Sequence, residues 1–209
     1  ASADLNMVWN EKPLTQEDRG SIEDIKISLQ QACLPFWCWV FPCGRSEATG
    51  EILQSAGFSF IDSIPCMLAD LSLPEAEEDD RSLQIVQVQN EETLRVWEKV
   101  SFAGFDFPPE TQHQYHRFVG TFNLKADSPQ KFFLAYFNGQ PVATSLLFLH
   151  ETAAGIYFIS TLAEIRRKGI GLAITRSTMR VARQAGAQYA TLQSSPDGLH
   201  VYRQAGFQE

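Results

Sequence analysis

Arg166, Arg167 and Lys168 run directly into Gly169-Ile170-Gly171, and this basic, glycine-bearing stretch carries the clearest chemistry in the chain. Two glycines separated by one residue let the backbone turn sharply and leave its amides uncovered by side chains. The segment before it, Gly155 to Thr161, is apolar, aromatic and β-branched, which favours a buried strand. The segment after it, Leu172 to Ala185, has helical periodicity. A helix that starts at such a turn presents amides without internal partners at the positive end of its dipole, a seat for an anion and above all for a phosphate. The stretch therefore reads as a pyrophosphate cradle made by the main chain of Gly169, Ile170, Gly171 and Leu172, with Arg166, Arg167 and Lys168 adding positive charge.

Spacing separates the common phosphate loops. A nucleotide-hydrolase loop needs four residues between its glycines and then Gly-Lys-Ser/Thr; here one residue separates Gly169 from Gly171, and Leu172 follows. A dinucleotide loop needs a small residue where Ile174 stands and an acidic residue at the end of the next strand, which Gln188 to Ser195 does not supply. The pattern that fits is R-x-x-G-x-G, met by Arg166, Gly169 and Gly171. Its flanks follow in order: Gly186-Ala187, a strand over Gln188 to Ser194, a Ser195-Pro196-Asp197-Gly198 turn, and a helix over Leu199 to Ala205 that Gly206-Phe207 ends. With these motifs the chain resembles the GCN5-related N-acetyltransferase (GNAT) family.

That resemblance implies an α/β (α+β) fold, a mixed central sheet flanked by helices, and acetyl-coenzyme A as co-substrate. Acetyl transfer from a thioester to an amine needs a held donor, a neutral amine, a stabilised oxyanion and help for the leaving thiolate. By resemblance, the backbone of Ile159 and Thr161 pairs with the pantetheine arm, and a backbone amide there serves the oxyanion. The resemblance also puts Ser194 and Tyr202 beside the coenzyme, with Tyr202 as the acid that protonates the thiolate. Glu164, just after the strand, is the candidate base, Asp106, Glu110, His113 and His116 are its rivals, and the resemblance leaves a water relay open in their place. No Cys has a His nearby in sequence to suggest an acyl-enzyme, so direct transfer within a ternary complex is the simpler mechanism. The implied activity is N-acetylation of a primary amine, on a small molecule or a peptide. The alternative is a non-catalytic coenzyme-binding or scaffolding protein; the Arg166 to Gly171 turn serves both, whereas Tyr202 favours the enzyme.

Composition narrows the class. A hydrophobic share of 44% with 20% charged residues is that of an ordinary globular chain. A net charge of −8 argues against general nucleic-acid binding and is compatible with a cationic amine. No apolar run reaches the roughly 18 residues of a membrane span, and Ala1 to Asn10 lacks a basic head followed by an apolar stretch, so a cytoplasmic location is the default expectation. A homodimer is admissible and untested by sequence. Cys33, Cys38, Cys43 and Cys66 form no C-x-x-C pair and sit among apolar neighbours, which predicts reduced, buried thiols and no metal.

The elements that must position this chemistry can be read in order. Ile22, Ile25, Leu29 and Ala32 have helical spacing, and Pro35 follows. Phe36 to Phe41 is apolar on both faces, as in a central strand; Glu47 to Ala56 predicts a helix ended by Gly57-Phe58, and Phe58 to Leu68 a strand. Strand, helix, Gly-Phe is also the order at the far end. Residues 1–73 thus look like the back half of a degenerate second copy, 74–82 like an acidic linker, and 83–209 like the acetyltransferase domain. Within the last, Leu94, Trp97, Val100 and Ser101 mark a helix, Phe102 to Val119 is rich in aromatics, and Asn138-Gly139 predicts a tight hairpin between flanking strands. In the long helix, Ile170, Ala173, Ile174, Ser177, Val181 and Ala185 predict the core stripe, with Arg176, Arg180 and Arg183 in solvent.

Overall fold

The computed structural model describes residues 6–73 and 83–209; the segment 74–82 expected as a linker lies outside them. The chain divides into two compact units. One reaches as far as Ser63 and includes His113–Phe118, and the other comprises Ile64–Gln112 and Val119–Glu209.

In the first unit, β1 (Met7–Trp9) and β2 (Trp37–Trp39) pair in parallel, Val8 opposite Cys38. Helix α1 (Arg19–Gln31) lies between them in sequence and α2 (Glu47–Ser55) follows. Ser46 starts α2 by accepting the Thr49 amide at 3.0 Å. The buried Thr49 hydroxyl then donates to the Gly44 carbonyl and accepts from the Leu14 amide, both at 2.9 Å, so one side chain ties three segments together. The central strand expected over Phe36 to Phe41 is instead three residues with one neighbour, bracketed by Pro35 and Pro42, which can donate no ladder hydrogen bond.

The second unit is built on a six-stranded mixed sheet of order β3-β8-β7-β6-β5-β4, with β3 Cys66–Asp70, β4 Leu83–Gln87, β5 Gln130–Phe137, β6 Gln140–His150, β7 Ala153–Thr161 and β8 Tyr189–Gln193. The strand expected from Phe58 begins only at Cys66, after Pro65, and Phe60 and Ile61 are exposed. This short strand is antiparallel to β8, Leu68 opposite Thr191, and its Leu68 also bridges Gln208, so it occupies the position beside β8 and the chain's end. The thiols are free, but Cys33, Cys43 and Cys66 are exposed and only Cys38 is half-buried. Apolar neighbours in sequence do not bury a residue on the solvent-facing side of a strand, as the alternating burial of Cys66–Asp70 shows.

Asn138 and Gly139 both have positive φ, 50° and 76°, as a two-residue hairpin turn requires, and they join β5 to β6. Helix α3 (Glu91–Gly104) is capped by Asn90, whose side chain accepts the Thr93 amide at 2.9 Å, and buries Leu94, Trp97, Val100 and Ser101 as expected. Its Trp97 packs on Phe132 and Phe158 and donates its indole N–H to the Ser145 carbonyl at 3.2 Å. Phe133, the next residue of β5, belongs instead to the core that Ile170, Ile174, Met179 and Ala182 of α5 (Ile170–Gln184) help to form. Successive strand residues face opposite sides, so α3 and α5 cover the two faces of the sheet. After α3 comes α4 (Gln112–Val119); α6 (Leu199–Gln204) follows β8 and ends at Gly206, φ 101°, with the Phe207 amide on the Tyr202 carbonyl at 3.0 Å. Gly57, φ 84°, ends α2 with the same bond pattern, Phe58 to Leu53 at 3.0 Å.

The stripe of α5 differs from the sequence reading. Ile170 and Ile174 are buried, but so are Thr175, Thr178, Met179 and Ala182, while Ala185 is exposed. Both threonines are buried because each hydroxyl donates back to a carbonyl four residues earlier, Gly171 at 2.7 Å and Ile174 at 2.8 Å. The arginines are not simply in solvent: Arg183 donates to the carbonyls of Leu71 (2.6 Å) and Leu73 (3.1 Å), and Arg176 to that of Gln204 (2.9 Å).

Gly104, at the end of α3, packs against β7 so closely that a Cβ would come within 2.6 Å of Ser160 Oγ and 2.8 Å of Ser160 Cβ. Ser160 cannot swing away without cost, because its hydroxyl shares a 2.7 Å hydrogen bond with Thr144, which donates to the Phe158 carbonyl at 2.9 Å. Gly104→Ala is therefore expected to destabilise the protein by about 1–3 kcal/mol, read as a lower urea midpoint with an unchanged slope.

Candidate functional site

The site begins with an irregularity in β7. Along the β6–β7 pair, the step from Thr144 to Leu146 spans two residues on β6 and the step from Ser160 back to Tyr157 spans three on β7. The extra residue is a bulge, and Phe158 takes the left-handed conformation there, φ 50°. The bulge resets which face each side chain meets. Ile156 and Ile159, three apart, both pack on the α5 core, whereas Phe158 packs on Trp97 and Ser160 contacts Thr144.

Just ahead of the bulge β7 parts from β8. Their parallel ladder runs only from Ala153 opposite Tyr189 to Gly155 opposite Thr191. Past that point β7 stays paired with β6 as far as Thr161, and β8 with β3 as far as Gln193. A slot opens between two strand edges whose backbone groups have no partner in this ladder. An extended chain carrying amides can fill such an edge. Gly155 sits where the strands part, and the Tyr157 ring takes the space a side chain there would need.

At the far end of the slot lies the basic turn. Ala163–Ile165 make one 3₁₀ turn, Arg167 and Gly169 adopt left-handed φ of 63° and 78°, and Gly169 caps α5. The helix ladder opens with the Ala173 amide on the Gly169 carbonyl at 3.0 Å, which leaves the amides of Ile170, Gly171 and Leu172 ahead of it. A Cβ on Gly171 would stand 3.7 Å from Thr161 Oγ1 and 3.9 Å from Val201 Cγ1. Gly171 therefore lies between the end of β7 and α6, at the mouth of the slot, and its missing side chain keeps that mouth open.

The expected site residues fall around this slot with different exposures. Ile159, Thr161 and Leu172 are half-buried, Ile170 is core, and Glu164, Arg166, Arg167, Lys168 and Gly169 are exposed. Lys168 places its ammonium 5.4 Å from the centroid of Phe137. Ser194 is fully buried; its hydroxyl donates to the Ser195 carbonyl at 2.7 Å and its amide to the Pro65 carbonyl at 3.0 Å. Tyr202 is 9% exposed, and burial pushes its phenol up to about 12. Its ring rests edge-on against Phe207, centroids 6.2 Å apart, and fills the space over Gly198, where a Cβ would come within 2.6 Å of it.

Arg166 does more than add charge. Its Nε donates to the Thr161 carbonyl at 3.0 Å and its terminal NH₂ to the Gly104 carbonyl at 2.9 Å, tying the turn to the ends of β7 and α3. Removing it as Arg166→Ala should cost about 1 kcal/mol, a fall of about 2–4 °C in Tm, and Arg166→Lys should not restore it because one ammonium cannot span both carbonyls. The Gly104–Ser160–Thr144 packing and the Phe158 bulge were missed from sequence. The signal was slight: a glycine at a helix end, and small hydroxyl residues in two otherwise apolar strands.

Residues 91–207, more than half of the chain, match the acetyltransferase (GNAT) family model, and the chain belongs to that family. The fold is similar to that of a GCN5-related N-acetyltransferase from Kribbella flavida, at 17% identity and a TM-score of 0.71 over 95% of this chain and 74% of that one. One from Sphaerobacter thermophilus gives 16% and 0.70 over 92% and 65%. A predicted acetyltransferase with acetyl-CoA from Clostridium acetobutylicum gives 16% and 0.51 over 61% and 90%. No curated protein matches the chain. Among the described residues no helix is long and apolar enough to cross a membrane, and no group of three or more His, Cys, Asp or Glu could hold a metal ion.

Proposed function

We propose that the protein transfers an acetyl group from acetyl-coenzyme A directly to a primary amine, on a small molecule or a peptide. The observation that carries this reading is the slot between β7 and β8, which ends at the uncovered first turn of α5. The free strand edge and the helix amides fit an extended amide-bearing arm joined to a pyrophosphate. Ile159 and Thr161 would hold the arm, and Gly169, Ile170, Gly171 and Leu172 the phosphates. Arg167 and Lys168 supply charge beside them, while Arg166 keeps the turn in place. Because the Thr161 carbonyl already accepts from Arg166, Thr161's contribution is its amide and side chain.

Bound in this way, the coenzyme supplies an acyl group activated as a thioester. The new N–C bond forms as the C–S bond breaks. Glu164 takes the proton the amine loses, and Tyr202 gives its phenolic proton to the departing sulfur. A backbone amide on the free edge of β7 donates to the oxygen on which charge develops, in a site already organised for it. The test is thiol release from acetyl-coenzyme A with and without a panel of amines. Amine-dependent release with one amide formed per thiol supports the reading; binding of the coenzyme with no release for any amine overturns the enzymatic part.

A further inference from the structure

Four phenylalanines make an unbroken strip beside the slot. Ring centroids lie 5.8 Å apart for Phe102 and Phe107, 5.5 Å for Phe107 and Phe105, and 5.8 Å for Phe105 and Phe158. Phe105 is 40% exposed and the other three are half-buried. Phe148, Tyr157 and Tyr189 of this unit are exposed to a similar degree, at 39%, 38% and 44%, so what sets Phe105 apart is the run of rings behind it. Phe105 is the exposed end of this run, and the half-buried rings behind it have neighbours of their own, Phe158 on Trp97 and Phe122, so the strip offers an apolar seat about one ring wide rather than an uncovered patch.

Its place gives the strip a meaning. Phe158 is the bulge residue of β7, turned to the α3 side, and the strand runs from it straight to Thr161 at the slot. The anion-binding turn belongs to α5, on the other face of the sheet. A donor held by that turn takes the α5 side, so an acceptor that meets it within one complex must reach β7 from the α3 side, where the rings are. From Phe102 to Glu110 the chain carries Asp106 and Glu110, and the Arg166 guanidinium on the Gly104 carbonyl sets a positive charge against them, so the rings rather than charge select the acceptor. The rings themselves offer no hydrogen bonds, so a polyhydroxylated amine would lose its water there without replacement.

We infer that the acceptor is an amine borne on an aromatic or branched apolar group, seated on the Phe102–Phe107–Phe105–Phe158 strip, and that Phe105 sets this specificity. The inference rests on the acetyltransferase reading above. Phenethylamine and glucosamine are the probes, compared by calorimetric titration into protein saturated with coenzyme A and by kcat/KM with acetyl-coenzyme A. Phenethylamine is expected to bind and to be favoured by at least about tenfold. Phe105→Ala should raise its KM roughly ten- to a hundredfold with little change in kcat, leave glucosamine unaffected, and be largely rescued by Phe105→Leu. Equal use of both amines, preference for glucosamine, or a Phe105→Ala variant that treats phenethylamine as the parent does would overturn the inference while leaving acetyl transfer standing. Failure to bind coenzyme A at all would overturn both.

Discussion

Tyr202→Phe is expected to lower kcat by about 10²–10⁴ while leaving coenzyme affinity and fold nearly unchanged, because the change deletes one proton donor and nothing else. The ring keeps its seat over Gly198 and its edge contact with Phe207. Steady-state kinetics beside a titration with coenzyme A separates the two effects, and a variant with parental kcat would remove Tyr202 from the chemistry. Burial holds this phenol up to about 12, so it stays protonated through the neutral range and supplies a proton without a limb in the pH profile there. The same shift has a sign for stability. Between the unfolded value near 10 and the folded one, the unfolded chain loses the proton that the native state keeps, so the contribution is complete below pH 10 and is lost as pH rises towards 12. It amounts to roughly 2–3 kcal/mol, and Tyr202→Phe should flatten that part of the alkaline unfolding curve.

Gly171→Val is expected to weaken coenzyme binding by about ten- to a hundredfold without unfolding the protein. A Cβ at this position meets only ordinary contacts, Thr161 Oγ1 at 3.7 Å and Val201 Cγ1 at 3.9 Å, and φ is not left-handed. A glycine replaced inside a helix, where space allows, tends to gain stability. The added methyls project into the mouth of the slot, where they keep a phosphate from the amides of α5. Gly169 makes the contrast: nothing lies within 4 Å of a Cβ there, but its φ of 78° strains any other residue. Gly169→Ala should thus lower Tm, whereas Gly171→Val should lower affinity with Tm preserved.

These two glycines also show what was legible in the sequence. Their spacing and the apolar strand before them were enough to place a sharp turn and a helix start there, which the left-handed Gly169 ahead of α5 bears out, because a turn of this kind is a local affair of φ and side-chain size. The hairpin at Asn138-Gly139 was legible for the same reason. Contacts decided by distant segments were not. That Arg166 would be tied to Gly104, 62 positions earlier, has no trace in either neighbourhood. Thr175 and Thr178 read as polar until their hydroxyls are seen bonding back to their own helix. The bulge at Phe158 moves Ile159 onto the core face against the two-residue alternation on which a strand reading depends. And Cys66–Asp70, so short and so far ahead of its partner, gains its strand character only from β8.

On the proposed function, the main chain at the start of α5, with the open edge of β7, grips the pyrophosphate and arm of acetyl-coenzyme A. Isothermal titration of acetyl-coenzyme A into the protein and into Gly171→Val tests it most directly. The expected result is one site per chain with a Kd on the order of 1 µM to 1 mM, weakened at least about tenfold in the variant at unchanged Tm. No binding to the parent protein, or equal binding to both, would contradict it.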